Sequence, residues 1–110
     1  MVETYIRPSR AADLETEITL LPSERGGKRV PVQSGYRTVH DFHLPDTLID
    51  AQHEYVENHQ LQPGQTGRAL LWLLTPELQR GRLFAGFSFT VQEGNRIVGE
   101  GKVLRVLNPE

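Results

Sequence analysis

Apolar side chains recur at every second position in short runs, and glycine or proline closes almost every run. A chain patterned this way has few folds open to it. In the first run Leu14, Thr16, Ile18 and Leu20 share one side while Glu15, Glu17 and Thr19 share the other. Period two with one charged face describes a half-buried strand. Glu24-Arg25-Gly26-Gly27-Lys28 follows as a polar loop whose glycines permit positive φ. Val30 and Val32, and then residues 39–44, predict two short strands around a turn at Ser34-Gly35. Gln62-Pro63-Gly64-Gln65 is a turn signal before a strand over residues 68–75. That strand is apolar on both faces, with Ala69, Leu71 and Leu73 on one and Leu70, Trp72 and Leu74 on the other, so it needs cover on both sides. Thr75-Pro76-Glu77-Leu78-Gln79 predicts a capped helical turn with proline at its first position. Phe87, Phe89 and Val91 alternate with Ser88, Thr90 and Gln92, and Glu93-Gly94-Asn95-Arg96 turns the chain into a last strand over residues 97–107. Gly99 and Gly101 within it mark bulges or tight bends. Residues 45–62 do not resolve by period: Leu48, Ile49, Ala51, Tyr55, Val56 and Leu61 fit a helix starting at Asp46. Many short strands and no long helix read as an all-β antiparallel barrel or sandwich.

The length of 110 residues suits one domain with a single core. Residues 1–12, with Pro8, Ser9, Arg7 and Arg10, read as an N-terminal extension with room for a helical turn at its end. Residues 13–110 read as the barrel domain. With no cysteine, disulfides, thiolate metal sites and cysteine catalysis are excluded, which fits a reducing cytoplasm. The longest apolar run, residues 69–74, is far short of the roughly 20 residues of a membrane helix. The first eight residues lack the basic start and apolar run of a signal peptide. A net charge of −2 gives no global field to recruit nucleic acid.

Chemical motifs are sparse. Gly26-Gly27-Lys28 lacks the flanking residues of a phosphate-binding loop, and Ser9, Ser23, Ser34 and Ser88 have no nucleophile motif around them. Of the four histidines, His40 and His43 fall on opposite faces of any shared strand, and His53 and His59 lie about 20 Å apart along one. All four are expected as solvated or loop side chains. Asp41, Asp46 and Asp50 read as a solvated acidic rim. Trp72, Phe84, Phe87 and Phe89 read as core. Arg25, Lys28, Arg29 and Arg37 form a basic block, suited either to RNA or to ion pairs with Glu15, Glu17 and Glu24. No catalytic, cofactor-binding or metal site is expected.

Three ordered blocks carry a family likeness. They are residues 20–37, containing Glu24-Arg25-Gly26-Gly27-Lys28 and Gly35-Tyr36-Arg37; Pro63-Gly64-Gln65 with Leu70-Leu71-Trp72-Leu73-Leu74-Thr75-Pro76; and the hairpin Glu93-Gly94-Asn95-Arg96-Ile97-Val98-Gly99-Glu100-Gly101-Lys102-Val103. With Arg82-Leu83-Phe84-Ala85-Gly86-Phe87 between them, the chain resembles the C-terminal (third) domain of elongation factor Tu, here expected as a stand-alone chain. The resemblance implies a six-stranded antiparallel β-barrel without an active site. In the family that barrel packs on a second barrel, docks on the GTPase domain, and touches the T-stem of tRNA and elongation factor Ts. It implies a non-catalytic, translation-related protein-binding module without GTPase activity. The partner would be a GTPase, another translation component or a second copy. The alternative is a weak tRNA- or RNA-binding module. The residues expected to contact RNA or a partner are Arg25, Lys28, Arg29, Tyr36, Arg37, Glu93 and Arg96, of which Glu93 matches a family glutamate at the tRNA contact. After Arg37 the family pattern gives way to a segment with Asp41, Asp46 and Asp50, and carboxylates facing a phosphate backbone weaken binding.

Overall fold

The computed structural model describes residues 5–79 and 81–108; residues 1–4 of the expected extension and 109–110 of the expected barrel domain lie outside them. Eight strands follow in order: β1 (Leu14–Leu20), β2 (Val32–Gln33), β3 (Arg37–Asp41), β4 (Ile49–Tyr55), β5 (Gln60–Leu61), β6 (Thr66–Leu73), β7 (Ser88–Glu93) and β8 (Arg96–Val106). Six close an antiparallel barrel in the order β1-β6-β4-β3-β7-β8, and β2 and β5 pair as a separate ribbon. Among the described residues the helical pieces are single 3-10 turns at Ser23–Arg25 and Pro76–Gln79. None is long or apolar enough to cross a membrane. The all-β, six-stranded antiparallel barrel expected from the sequence is the fold.

The alternation read in β1 sets its packing. Leu14, Ile18 and Leu20 point into the barrel and are buried, as are Ala69, Leu71 and Leu73 of β6, Phe89 and Val91 of β7, and Val98 and Val103 of β8. Each leucine or phenylalanine buried this way contributes about 1.5–3 kcal/mol. The inward Thr16 satisfies its hydroxyl by donating to the Ala69 carbonyl at 2.9 Å. The long β8 spans two partners by bulging twice. Val98 is the extra residue between the pairs Gln92↔Ile97 and Val91↔Gly99, and Leu104 between Thr16↔Val103 and Glu15↔Arg105. Gly101 leaves room for the Phe89 ring; a Cβ there would sit 2.2 Å from Phe89 Cζ.

Residues 45–62 depart from expectation. The helix from Asp46 does not form; the stretch holds β4 and β5 instead. Ile49, Ala51, His53 and Tyr55 keep strict period two and all point inward. Two of these four carry polar atoms, so the alternation is invisible to a hydrophobic count. Asn58 and His59, with φ of 58° and 53°, reverse the chain into β5. Val30 lies outside any strand and is exposed, residues 42–44 lie beyond β3, and residues 9–10 bend without a helical turn. Phe84 is 60% exposed rather than core, resting edge-on against Phe87.

The two-faced β6 finds its second cover in residues 5–12, which cross the outer side of β4 and β6 as a strap. Trp72 and Glu54 point away from the barrel interior yet are only 4% and 6% exposed. The Trp72 indole N–H donates to the Arg10 carbonyl at 2.7 Å, and the Arg10 guanidinium donates to the Leu73 carbonyl at 2.6 Å. The strap ends at buried Asp13, whose carboxylate accepts from the Leu73 amide at 2.7 Å and from the Asn108 side chain at 3.2 Å. That one side chain ties the start of β1 to the end of β6 and to the segment just after β8.

Candidate interaction surface at the barrel rim

The loop after β1 is shaped by backbone crowding. A side chain at Gly27 would place its Cβ 2.0 Å from the Leu21 carbonyl oxygen, and Gly26 sits at φ 89°, a region that favours glycine. Arg96, at the start of β8, clamps this loop. Its guanidinium donates to the Gly26 carbonyl at 3.1 and 2.9 Å and to the Gly27 carbonyl at 2.7 Å. The clamp brings Lys28 to Glu93, the last residue of β7, with Nζ 2.7 Å from Oε2. The Tyr36 hydroxyl donates to the same oxygen at 2.6 Å, and the Lys28 ammonium lies 5.4 Å from the centre of the Tyr36 ring.

Glu93 is therefore the hub of a small network. Hydrogen bonding from Lys28, then from Tyr36, holds its carboxyl below the usual range. Burial, and then the bond to Glu93, pushes the Tyr36 phenol up. Four of the seven expected contact residues, Lys28, Tyr36, Glu93 and Arg96, thus meet at one rim. Arg25, Arg29 and Arg37 do not join them. All three are exposed and make no side-chain hydrogen bond or ion pair among the described residues. The expected ion pairs of the basic block with Glu15, Glu17 and Glu24 do not form: Glu15 instead meets Arg68 and Arg105, across β6 and β8.

Beside this network runs an open cleft of about 760 Å³. It is lined by the β2–β5 ribbon with His59, by Lys28 and Tyr36, and by Tyr5 and Ile6. Ile6 and Val30 line it while remaining 81% and 60% exposed. A second, smaller groove of about 310 Å³ crosses the outer face of β1, β7 and β8, lined by Glu17, Thr90, Glu100 and Lys102.

Two histidines expected in solvent lie in the core instead. His40 and His53 are fully buried, their Nε2 atoms 2.7 Å apart. His40 Nδ1 lies 3.0 Å from the Ile49 carbonyl, which only accepts, so Nδ1 carries the proton and Nε2 accepts. His53 must then donate through Nε2 and accept at Nδ1, where the Tyr55 hydroxyl donates at 2.9 Å. The chain Tyr55, His53, His40, Ile49 carbonyl is complete with both rings neutral. Burial pushes His40 down to about 4, and burial together with His40 holds His53 well below the ordinary histidine range. The period-two run Ile49, Ala51, His53, Tyr55 is the sequence signal that places His53 inside; His40 sits on β3. His43 and His59 are exposed as expected. Among the described residues no group of three histidines, aspartates or glutamates is placed to hold a metal. No protein-family model matches this sequence.

Proposed function

We propose that this chain is a relative of the C-terminal barrel of elongation factor Tu and works as a non-catalytic, translation-related protein-binding module in the cytoplasm. The observation that carries the reading is the cleft at the barrel rim, where Ile6 and Val30 stand exposed beside an already assembled Lys28–Tyr36–Glu93 network. An apolar lip beside organised polar groups suits a protein surface. The titratable groups the fold brings together are engaged with one another: Glu93 with Lys28 and Tyr36, His40 with His53. That favours binding over catalysis. Titration calorimetry against purified translation factors, GTPases included, tests the reading. Micromolar or tighter binding to one factor, weakened at least tenfold by Val30→Asp, is expected. Background heats with every factor count against it.

A second reading, weak tRNA binding, draws on Arg25, Arg29 and Arg37, which project into solvent unpaired among the described residues. Gel shifts with aminoacyl-tRNA across a salt series decide it. Phosphate contacts predict an affinity that falls steeply as salt rises, and no shift at low salt ends the idea.

A further inference from the structure

Glu54 presents an uncommon problem. It projects from the outer side of β4, yet its side chain is only 8% exposed. A carboxylate so placed is costly without a cation. Arg7 of the strap supplies one in two-pronged geometry, with Nε 2.9 Å from Oε1 and Nη2 2.5 Å from Oε2. The same guanidinium lies 5.7 Å from the centre of the Trp72 ring. Carboxylate and indole together form a socket shaped for arginine: the carboxylate matches the fork and the ring matches the plane. Three residues on, the Trp72 N–H holds the strap by the Arg10 main-chain carbonyl, a contact any extended peptide can make.

The strap's hold is of a particular kind. Among the described residues, its backbone makes no backbone–backbone hydrogen bond before Asp13. Each of its hydrogen bonds to the barrel before Asp13 involves a side chain on one partner or the other, and Arg7 itself stays more than half exposed. The socket therefore belongs to the barrel and its occupant to the strap. Next to it a small cleft of about 110 Å³ continues between Arg10, Arg37, Gln52 and Trp72. Unpaired Arg37 there offers a place for an acidic group following the arginine.

We propose that Glu54 and Trp72 form a recognition socket for an arginine on an extended segment of a partner protein, and that the strap occupies it as a tethered competitor. This deepens the protein-binding reading and rests on it. The test below uses no translation factor, so it can fail while that reading stands. A tethered occupant competes at an effective concentration on the order of mM, so the socket opens only to a better ligand or when the strap is weakened.

Trp72 is the single tryptophan, so its fluorescence reports the socket directly. The probe is a synthetic peptide of residues 5–12, Tyr-Ile-Arg-Pro-Ser-Arg-Ala-Ala, added to the full chain carrying Arg7→Ala. Saturable change in Trp72 emission is expected, at least tenfold tighter than for the unaltered chain. It should be lost with a peptide in which the first arginine is alanine, and lost in the Arg7→Ala/Glu54→Gln double variant. Should Arg7→Ala melt early, Arg7→Lys replaces it, keeping the charge but not the fork. Folded variants that bind both peptides alike, or neither, overturn the proposal. Equal binding by the altered and unaltered chains overturns the strap's role as competitor.

Discussion

Two polar clusters touch in this barrel and obey opposite rules. Tyr36 belongs to the rim cluster through Glu93, and its ring meets His53 of the inner cluster edge-on at 5.5 Å. On the rim side the groups are charged and partly wet: Glu93 is a carboxylate facing an ammonium. One ring further in, His40 and His53 are dry and neutral, and each nitrogen has one partner of the right kind. Water makes the difference. In these two clusters charge is kept where solvent and a counter-ion reach it and is absent where neither does.

The largest break in this contrast is expected from acid. Both inner histidines are depressed in the folded chain, so between about pH 6.5 and 4 the unfolded chain binds more protons. Stability is therefore full above pH 6.5 and falls as pH drops. Moving from pH 7 to pH 5 is expected to remove about 2 kcal/mol from the unfolding free energy through His40, and His53 adds to the loss in the same direction. Urea titrations at the two values measure this, and equal midpoints would refute the neutral pair. His53→Leu comes next. It strands His40 Nε2 and the Tyr55 hydroxyl in the core, at about 3 kcal/mol in total at pH 7, and it makes the acid slope shallower. Denaturant unfolding of the variant reads both effects.

The rim responds more weakly. Glu93→Gln is expected to cost about 1 kcal/mol in a thermal melt, because solvent takes over part of what Lys28 and Tyr36 lose. Glu93 is held below its usual range, so its contribution is present at neutral pH and lost only as pH falls below about 4. Between pH 5 and 7 the variant's deficit should stay constant, which separates rim from core. Smallest of all, Arg96→Ala releases the Gly26 and Gly27 carbonyls. Faster amide exchange in residues 23–28 is expected, with under about 1 kcal/mol change in global stability.

The same boundary between wet and dry decides what was legible in the sequence. β1 reads directly because its inward side is apolar and its outward side charged. β4 is as regular, but its inward positions are filled by Ile49, Ala51, His53 and Tyr55, and hydrophobicity alone does not register histidine and tyrosine that are satisfied by each other. Gly99 and Gly101 flagged a distorted strand because no other residue tolerates the neighbouring carbonyl and ring. Phe84 and Trp72 show the limit from the other side. Both read as core; Phe84 is left on the surface, while Trp72 is buried as read but on the outer side, under residues whose proline and arginines carry no period. The basic block read as one patch because its residues are close in sequence. In space Arg96 and Glu93, far along the chain, take Lys28 out of it.

The seam between β1 and β8 has a consequence for birth rather than for equilibrium. Leu14 pairs with Val106 and Leu20 with Gly99, so the barrel's first strand waits for its last. Until β8 emerges, β1 has one open edge and β7 another, and open edges recruit other strands. Closure at such sequence separation is slow, on the order of milliseconds to seconds for barrels of this kind. The window between synthesis and closure is when this protein is most exposed to aggregation, and when a chaperone that shields strand edges would matter most.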